Sequence, residues 1–251
     1  DAAYSGRILF VAQGSEKGFG VPYAYGINDD ILGDPHFMST RFVQVVSCNT
    51  HNIACLLATL GSFGKVVESD FVCIRRANDV SQDGSFVASP TLGSHSDKKF
   101  GTHHARDVND LMQTVKKSVP VYSSAMKTNS QYMHTIRFSI SLDETVTSEE
   151  VMTRIVQDKY VASTLKKTTN SVFSYGRDHG FYGRLYNQAV ICMPALSISH
   201  FNEATRIAGF AFTPQDGNSL LSSISIAEWF LYPHSYEDKI QCLKPYFYDE
   251  V

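Results

Sequence analysis

The segment Val45-Val46-Ser47-Cys48-Asn49-Thr50-His51-Asn52 holds the residue types with the most chemistry in the chain. A cysteine at the start of a helix, directly after a buried strand, meets exposed backbone N–H groups and the positive end of the helix dipole, which favour a thiolate over a thiol. The same N–H groups could hold a developing oxyanion. A buried structural cysteine is the bland alternative, because free cysteines are among the most buried residues. The crowd of side-chain donors at Asn49, Thr50 and His51 is more than a structural turn needs. A second segment, Arg75-Arg76-Ala77-Asn78-Asp79, puts two guanidinium forks at the end of a strand, where they can face phosphate or carboxylate or simply solvent. In a third, Gly101-Thr102-His103-His104-Ala105-Arg106, Thr102 could cap a helix with two histidines on its first turn, a plausible anion site. By ligand type a zinc set could be drawn from Cys48, His51, His103 and His104, but nothing in the spacing demands it; no metal is expected.

Positioning these groups takes a strand, a turn and a helix at the cysteine, and a sheet behind it. Apolar runs at 8–12, 21–27 and 42–46 read as strands. The last of them runs into the pattern Ile53, Leu56, Leu57, Leu60, a helix that stops at Gly61 and Gly64. From Lys65 the texture turns to strands at 66–75, 133–140, 189–199 and 204–212. Helices are expected at 105–117, at 148–159 behind the Thr147-Ser148-Glu149-Glu150 cap, and at 222–231. The fold class that follows is α+β: a large mixed, mostly antiparallel sheet with helices on one face.

Composition narrows the function classes. With 251 residues, 43% hydrophobic and 19% charged, the chain can bury a proper core. A formal net charge of −3 argues against a general binder of nucleic acid, so any phosphate site is local. Five cysteines without a repeated short pair fit a reducing cytosol better than a disulfide framework. No apolar run approaches a membrane span, and residues 1–7 lack the pattern of a signal peptide, so a cytoplasmic protein is expected.

In order and spacing, the run 45–50, then Cys73-Ile74-Arg75-Arg76-Ala77 with Asp79, then Thr102-His103-His104 with Asp107-Val108, resembles the type II (archaeal-type) glyceraldehyde-3-phosphate dehydrogenases. Tyr132-Met133-His134 and Tyr175-Gly176-Arg177-Asp178 extend the similarity to most of the chain. The resemblance implies residues 1–46 as the last strands of a Rossmann-type cofactor domain with Asn28 on the cofactor side, 47–231 as the catalytic domain and 232–251 as a tail. It further implies a Cys48 thiolate that attacks an aldehyde and carries an acyl thioester until phosphate cleaves it. Thr50 and Asn49, Arg75 or Arg76, and His103 or His104 would then hold phosphate groups. Where the family has Asn-Thr-Thr-Gly after the cysteine, this chain has His51-Asn52 at the last two positions. Ile136 stands where a second histidine follows His134, so His134 or His51 would have to act as the base. The glycine-rich phosphate-binding turn of the family is missing. NAD or NADP would therefore come with a segment or partner that carries it. The competing reading is an inactive or repurposed domain that serves as an assembly or binding module. A thiol-dependent acyl transferase or hydrolase is a third. A dimer or tetramer is the expected state, joined through apolar surface rich in the 16 Phe and 13 Tyr.

Overall fold

The computed structural model describes residues 8–77, 87–180, 183–201, 204–214 and 216–251. Asn78 and Asp79 lie outside the described residues. Three strands, β1 (Phe10–Gln13), β2 (Val21–Tyr23) and β3 (Phe42–Val45), form a small parallel sheet in the order β1-β3-β2. A short helix, α1 (Pro35–Met38), precedes β3, and α2 (Cys48–Leu60) follows it at once. The chain then passes through β4 (Val66–Arg75), β5 (Thr91–Leu92), α3 (His103–Thr114), β6 (Tyr122–Lys127), β7 (Thr135–Leu142), α4 (Ser148–Gln157) and β8 (Val161–Thr164). It continues as α5 (Thr169–His179), β9 (Ala189–Cys192), β10 (Ser197–Phe201), β11 (Ala204–Phe212), α6 (Gly217–Leu231) and α7 (Tyr236–Ile240). The eight strands from β4 onward make one mixed sheet, β5-β6-β4-β7-β11-β9-β8, with β10 beside β11. Only β4–β6 and β8–β9 run parallel. The molecule is thus α+β with a large, mostly antiparallel sheet.

Alternation decides which face is covered. Along β7, Ile136, Phe138, Ile140 and Leu142 are fully buried, and with Phe71 and Cys73 of β4 and Ile207 and Ala211 of β11 they meet α2, α3 and α4. Strand β9 is buried throughout: Ala189 and Ile191 join that core, whereas Val190 and Cys192 face Val172 of α5 on the reverse side. A continuous apolar run is what a strand covered on both faces needs. A separate cluster joins Val43, Val45 and Tyr23 of the small sheet to Leu221, Ile226 and Trp229 of α6.

Several element boundaries depart from expectation, for identifiable reasons. Strand β2 ends at Tyr23 rather than continuing to 27, because Asn28 Oδ1 accepts from Ala24 N (2.9 Å) and an Asp29 carboxylate oxygen from Gly26 N (2.8 Å). Those bonds close a turn at Gly26, where φ is 79°. The run 189–199 is broken at Met193–Ala195, where Pro194 cannot donate to a ladder. Helix α6 starts five residues before the expected 222. Helix α5 and strands β5, β6 and β8 were not foreseen; α5 is built from Thr, Asn, Ser, Phe and Gly, poor helix formers held by packing of Val172. The cap on α4 is present as a full capping box: Thr147 Oγ1 accepts from Glu150 N, and Glu150 Oε2 accepts from Thr147 N at 2.8 Å. No helix of the described residues is long and apolar enough to cross a membrane.

Candidate functional site

Cys48 is the first residue of α2, half-buried, behind the Ser47 N-cap, whose Oγ accepts from Thr50 N and pairs with Thr50 Oγ1 at 2.9 Å. The next four residues are buried to 2% exposure or less. Asn49 Oδ1 accepts from Thr213 Oγ1 (3.3 Å), and Asn52 Nδ2 donates to Thr213 Oγ1 (3.0 Å) and to the Phe212 carbonyl (3.2 Å). Asn218 Nδ2, at the start of α6, donates to the Cys48 carbonyl at 3.0 Å. The cysteine turn is therefore clamped between the end of β11 and the start of α6.

His51 turns away from that turn. Its Nδ1 lies 2.9 Å from the Ser47 carbonyl, so Nδ1 carries the proton, and Nε2, 2.8 Å from Ser222 Oγ, accepts. The Ser222 hydroxyl oxygen in turn accepts from Tyr25 N (2.9 Å). Complete burial pushes the His51 imidazole down to about 4, against the opposing pull of its backbone hydrogen bonds. Both ring nitrogens are engaged, and the ring forms the wall between α2 and α6.

The other predicted groups come from three separate elements. Cys73 on β4, fully buried, lies within electrostatic range of both Arg75 and Cys48, and burial raises its thiol to about 12. Arg75, exposed at the end of β4, also acts on His103 and His104, whose pKa values fall mainly through desolvation. His104 responds as well to His103, whose ring centroid is 3.9 Å away, and to His134. Arg75, His103, His104 and His134 thus occupy one neighbourhood, to which Cys48 is linked through Cys73. Helix α3 is brought there by Ser123 of β6, whose Oγ bonds Thr102 Oγ1 (2.6 Å) and accepts from Ala105 N (3.1 Å).

Two features give this neighbourhood chemical capacity. His104 is 3% exposed, and among the described residues neither of its ring nitrogens has a hydrogen-bond partner, which is costly inside a protein unless something else fills the place. The Arg76 amide donates to His134 Nδ1 at 2.9 Å, which leaves the proton of the neutral ring on Nε2. The remaining predicted residues lie elsewhere. The Arg76 side chain lines a cavity of about 280 Å³ with Met133, Arg177 and Arg184. Asn28, 1% exposed, uses its amide on Ala24 N, the Pro22 carbonyl and Thr114 Oγ1, which ties the turn after β2 to α3.

Thr213, Asn218 and the Ser222 hydroxyl were not singled out from sequence. The run Asp216-Gly217-Asn218-Ser219, rich in helix-start residues, was the available signal for Asn218. Among the described residues, no three His, Cys, Asp or Glu side chains gather as a metal site. Among the described residues, the link from β1 to β2 contains no helix, and the one from β2 to β3 holds the 3-10 turn Asp29–Gly33 and the four-residue α1.

No family model matches the chain. Curated relatives do. It is 30% identical over 117 residues to the glyceraldehyde-3-phosphate dehydrogenase of Metallosphaera sedula, a stretch covering 45% of this chain and 31% of that protein. To the enzyme of the same name from Sulfolobus acidocaldarius it is 26% identical over 164 residues, 61% of this chain and 45% of the relative. For that of Haloarcula marismortui the figures are 32% over 108 residues, 43% and 29%. The chain is similar to archaeal glyceraldehyde-3-phosphate dehydrogenases, and the matched stretches span less than half the length of these relatives.

Proposed function

We propose that this chain is the catalytic half of a phosphorylating aldehyde dehydrogenase of the type II glyceraldehyde-3-phosphate dehydrogenase kind, with Cys48 as its nucleophile. One observation carries the reading. Among the described residues a buried histidine, His104, leaves both nitrogens without a partner beside Arg75 and His103, and Arg75 shares Cys73 with Cys48, the cysteine at a helix start. Such a group awaits a polar ligand, and the surrounding cations favour an anionic one.

In this reading residues 1–46 belong to the edge of a cofactor domain whose dinucleotide site lies outside the described residues. NAD or NADP, when bound, supplies the hydride acceptor. The steps assigned to this chain are those of sulfur and phosphate. Cys48 Sγ attacks the aldehyde carbon; the S–C bond forms and the carbonyl oxygen takes the electron pair, facing the first-turn amides of α2. His134, protonated on Nε2, is the donor assigned to that oxygen, and His51 serves to hold the turn. Once the carbon is at the acyl level, a phosphate oxygen held by Arg75, His103 and His104 attacks it, while Thr50, buried against Ser47, holds the turn. The C–S bond breaks, releasing acyl phosphate and restoring the thiolate. Homo-oligomerisation through the open face of the large sheet, where Phe210 and Phe201 are more than one-third exposed, belongs to the same proposal.

The reverse of the last step needs no nucleotide and tests the reading. An acyl phosphate offered to the chain should acylate Cys48, seen as a mass increase that disappears in Cys48→Ser and slows in His104→Asn. A chain that alkylates readily at Cys48 yet takes no acyl group would overturn it and favour the repurposed-domain alternative.

A further inference from the structure

A cavity of about 1040 Å³ opens at the end of α2 remote from Cys48. Leu57, the first residue of α2 in its lining, is nine residues on from Cys48, roughly 14 Å along the helix at 1.5 Å per residue. Nothing assigned above to the reaction reaches it. Its apolar lining comes from Leu57, Phe100, Met112 and Val121, all part of or packed against the main core. Three lysines, Lys65, Lys99 and Lys117, stand exposed around it, with Glu68 as the opposing charge. Among the described residues none of the three lysines is in an ion pair.

A bland account covers part of this. Lys65 and Lys117 follow the C-terminal ends of α2 and α3, where the carbonyl ends of helices favour cations. That account does not extend to Lys99, which precedes the N-terminus of α3, the end that disfavours a cation, and sits over the Phe100 ring at 4.8 Å. A largely apolar cavity of this size with a few polar or charged groups in its lining is the ordinary form of a small-molecule site. Its charge selects an anion, and its floor selects a hydrocarbon body.

We propose that this cavity binds an amphipathic carboxylate, its hydrocarbon chain against Leu57, Met112 and Val121 and its carboxylate among Lys65, Lys99 and Lys117. The site is independent of the cysteine chemistry. Isothermal titration with decanoate, below its micelle concentration, should give one site per chain, with decanol binding much more weakly. Cys48→Ser should bind decanoate as the natural chain does. The double variant Lys99→Glu, Lys117→Glu should weaken decanoate about fivefold or more at an unchanged thermal midpoint, as expected for two reversed charges at an exposed rim. Ser118→Trp, which places an indole in the opening, should abolish binding. No heat with decanoate, decanol binding as tightly, or a double variant that binds unchanged would each overturn the proposal. So would a self-association in solution that Ser118→Trp disrupts, since a second copy of the chain would then be the occupant.

Discussion

The burial of His51 makes a measurable demand on acid stability. In the folded chain the imidazole titrates at about 4, and in the unfolded chain it returns to its ordinary value of about 6.5. Between those pH values the unfolded state binds one more proton than the folded state. Stability therefore declines as pH falls through this window and levels off below about 4. A separation of about 2.5 pH units at about 1.4 kcal/mol each amounts to about 3 kcal/mol. The full figure applies because the ring has no exposed surface. Asp29 and Asp107 work in the opposite direction. Desolvation raises both to about 6, so the folded chain takes up their protons first and gains stability on acidification. The natural chain alone gives a composite curve. Subtracting the urea-unfolding free energies of His51→Gln, measured at half-unit steps from pH 7.5 to 3.5, isolates the ring. The difference should be flat above pH 6.5 and slope by about 1.4 kcal/mol per unit toward pH 4. A flat difference throughout would mean that His51 is solvated or charged in the folded chain, and the argument that removes it from general-base duty would fall.

The same wall predicts that Ser222→Ala, which strips partners from both His51 Nε2 and Tyr25 N, lowers stability by about 2–4 kcal/mol. A denaturant midpoint within error of the natural chain would contradict the hydrogen-bond assignment. Native-state alkylation with iodoacetamide should reach Cys48 and the exposed Cys242 while sparing Cys55 and Cys73, located by peptide mass mapping. Prompt labelling of Cys73 would show the core under β4 to be open. Thr147→Ala removes the capping box from α4 and should cost about 1 kcal/mol in thermal unfolding. An unchanged melting curve would show that packing of Val151 and Ile155 alone holds that helix.

Legibility followed the range of the interaction. The strand 66–75 and the strand 204–212 could be read directly, because alternation along a half-buried strand is a local pattern. Cys48 at a helix start was legible for the same reason: Ser47 caps, and the apolar spacing of Ile53, Leu56, Leu57 and Leu60 announces the helix. What His51 does was not, since its second partner, Ser222, is 171 residues away. Nor could sequence choose between the two arginines or the two histidines; it is the backbone path past Cys73 that sends Arg75 toward His103 and His104, and Arg76 into a different cavity. The missed helix α5 and the break at Pro194 show the limit from the other side: tertiary packing overrode weak propensity in one, and a single residue without an N–H overrode a long apolar run in the other.

The ties that clamp the cysteine turn are all long in sequence: Asn218 to the Cys48 carbonyl across 170 residues, Thr213 to Asn49 across 164, Asn52 to the Phe212 carbonyl across 160. On a ribosome adding about 5–20 residues per second, α2 is synthesised roughly 10–30 s before its last partner exists. Closing such loops also makes folding slow at any given stability. For that interval the nascent chain carries Cys48 on a helix start that nothing holds in place, and the polar groups of Asn49 and Asn52 are hydrated. The clamp on the cysteine turn is thus an event of late synthesis, and a chain released before residue 218 would carry Cys48, Asn49 and Asn52 without the Asn218 tie that helps to hold them.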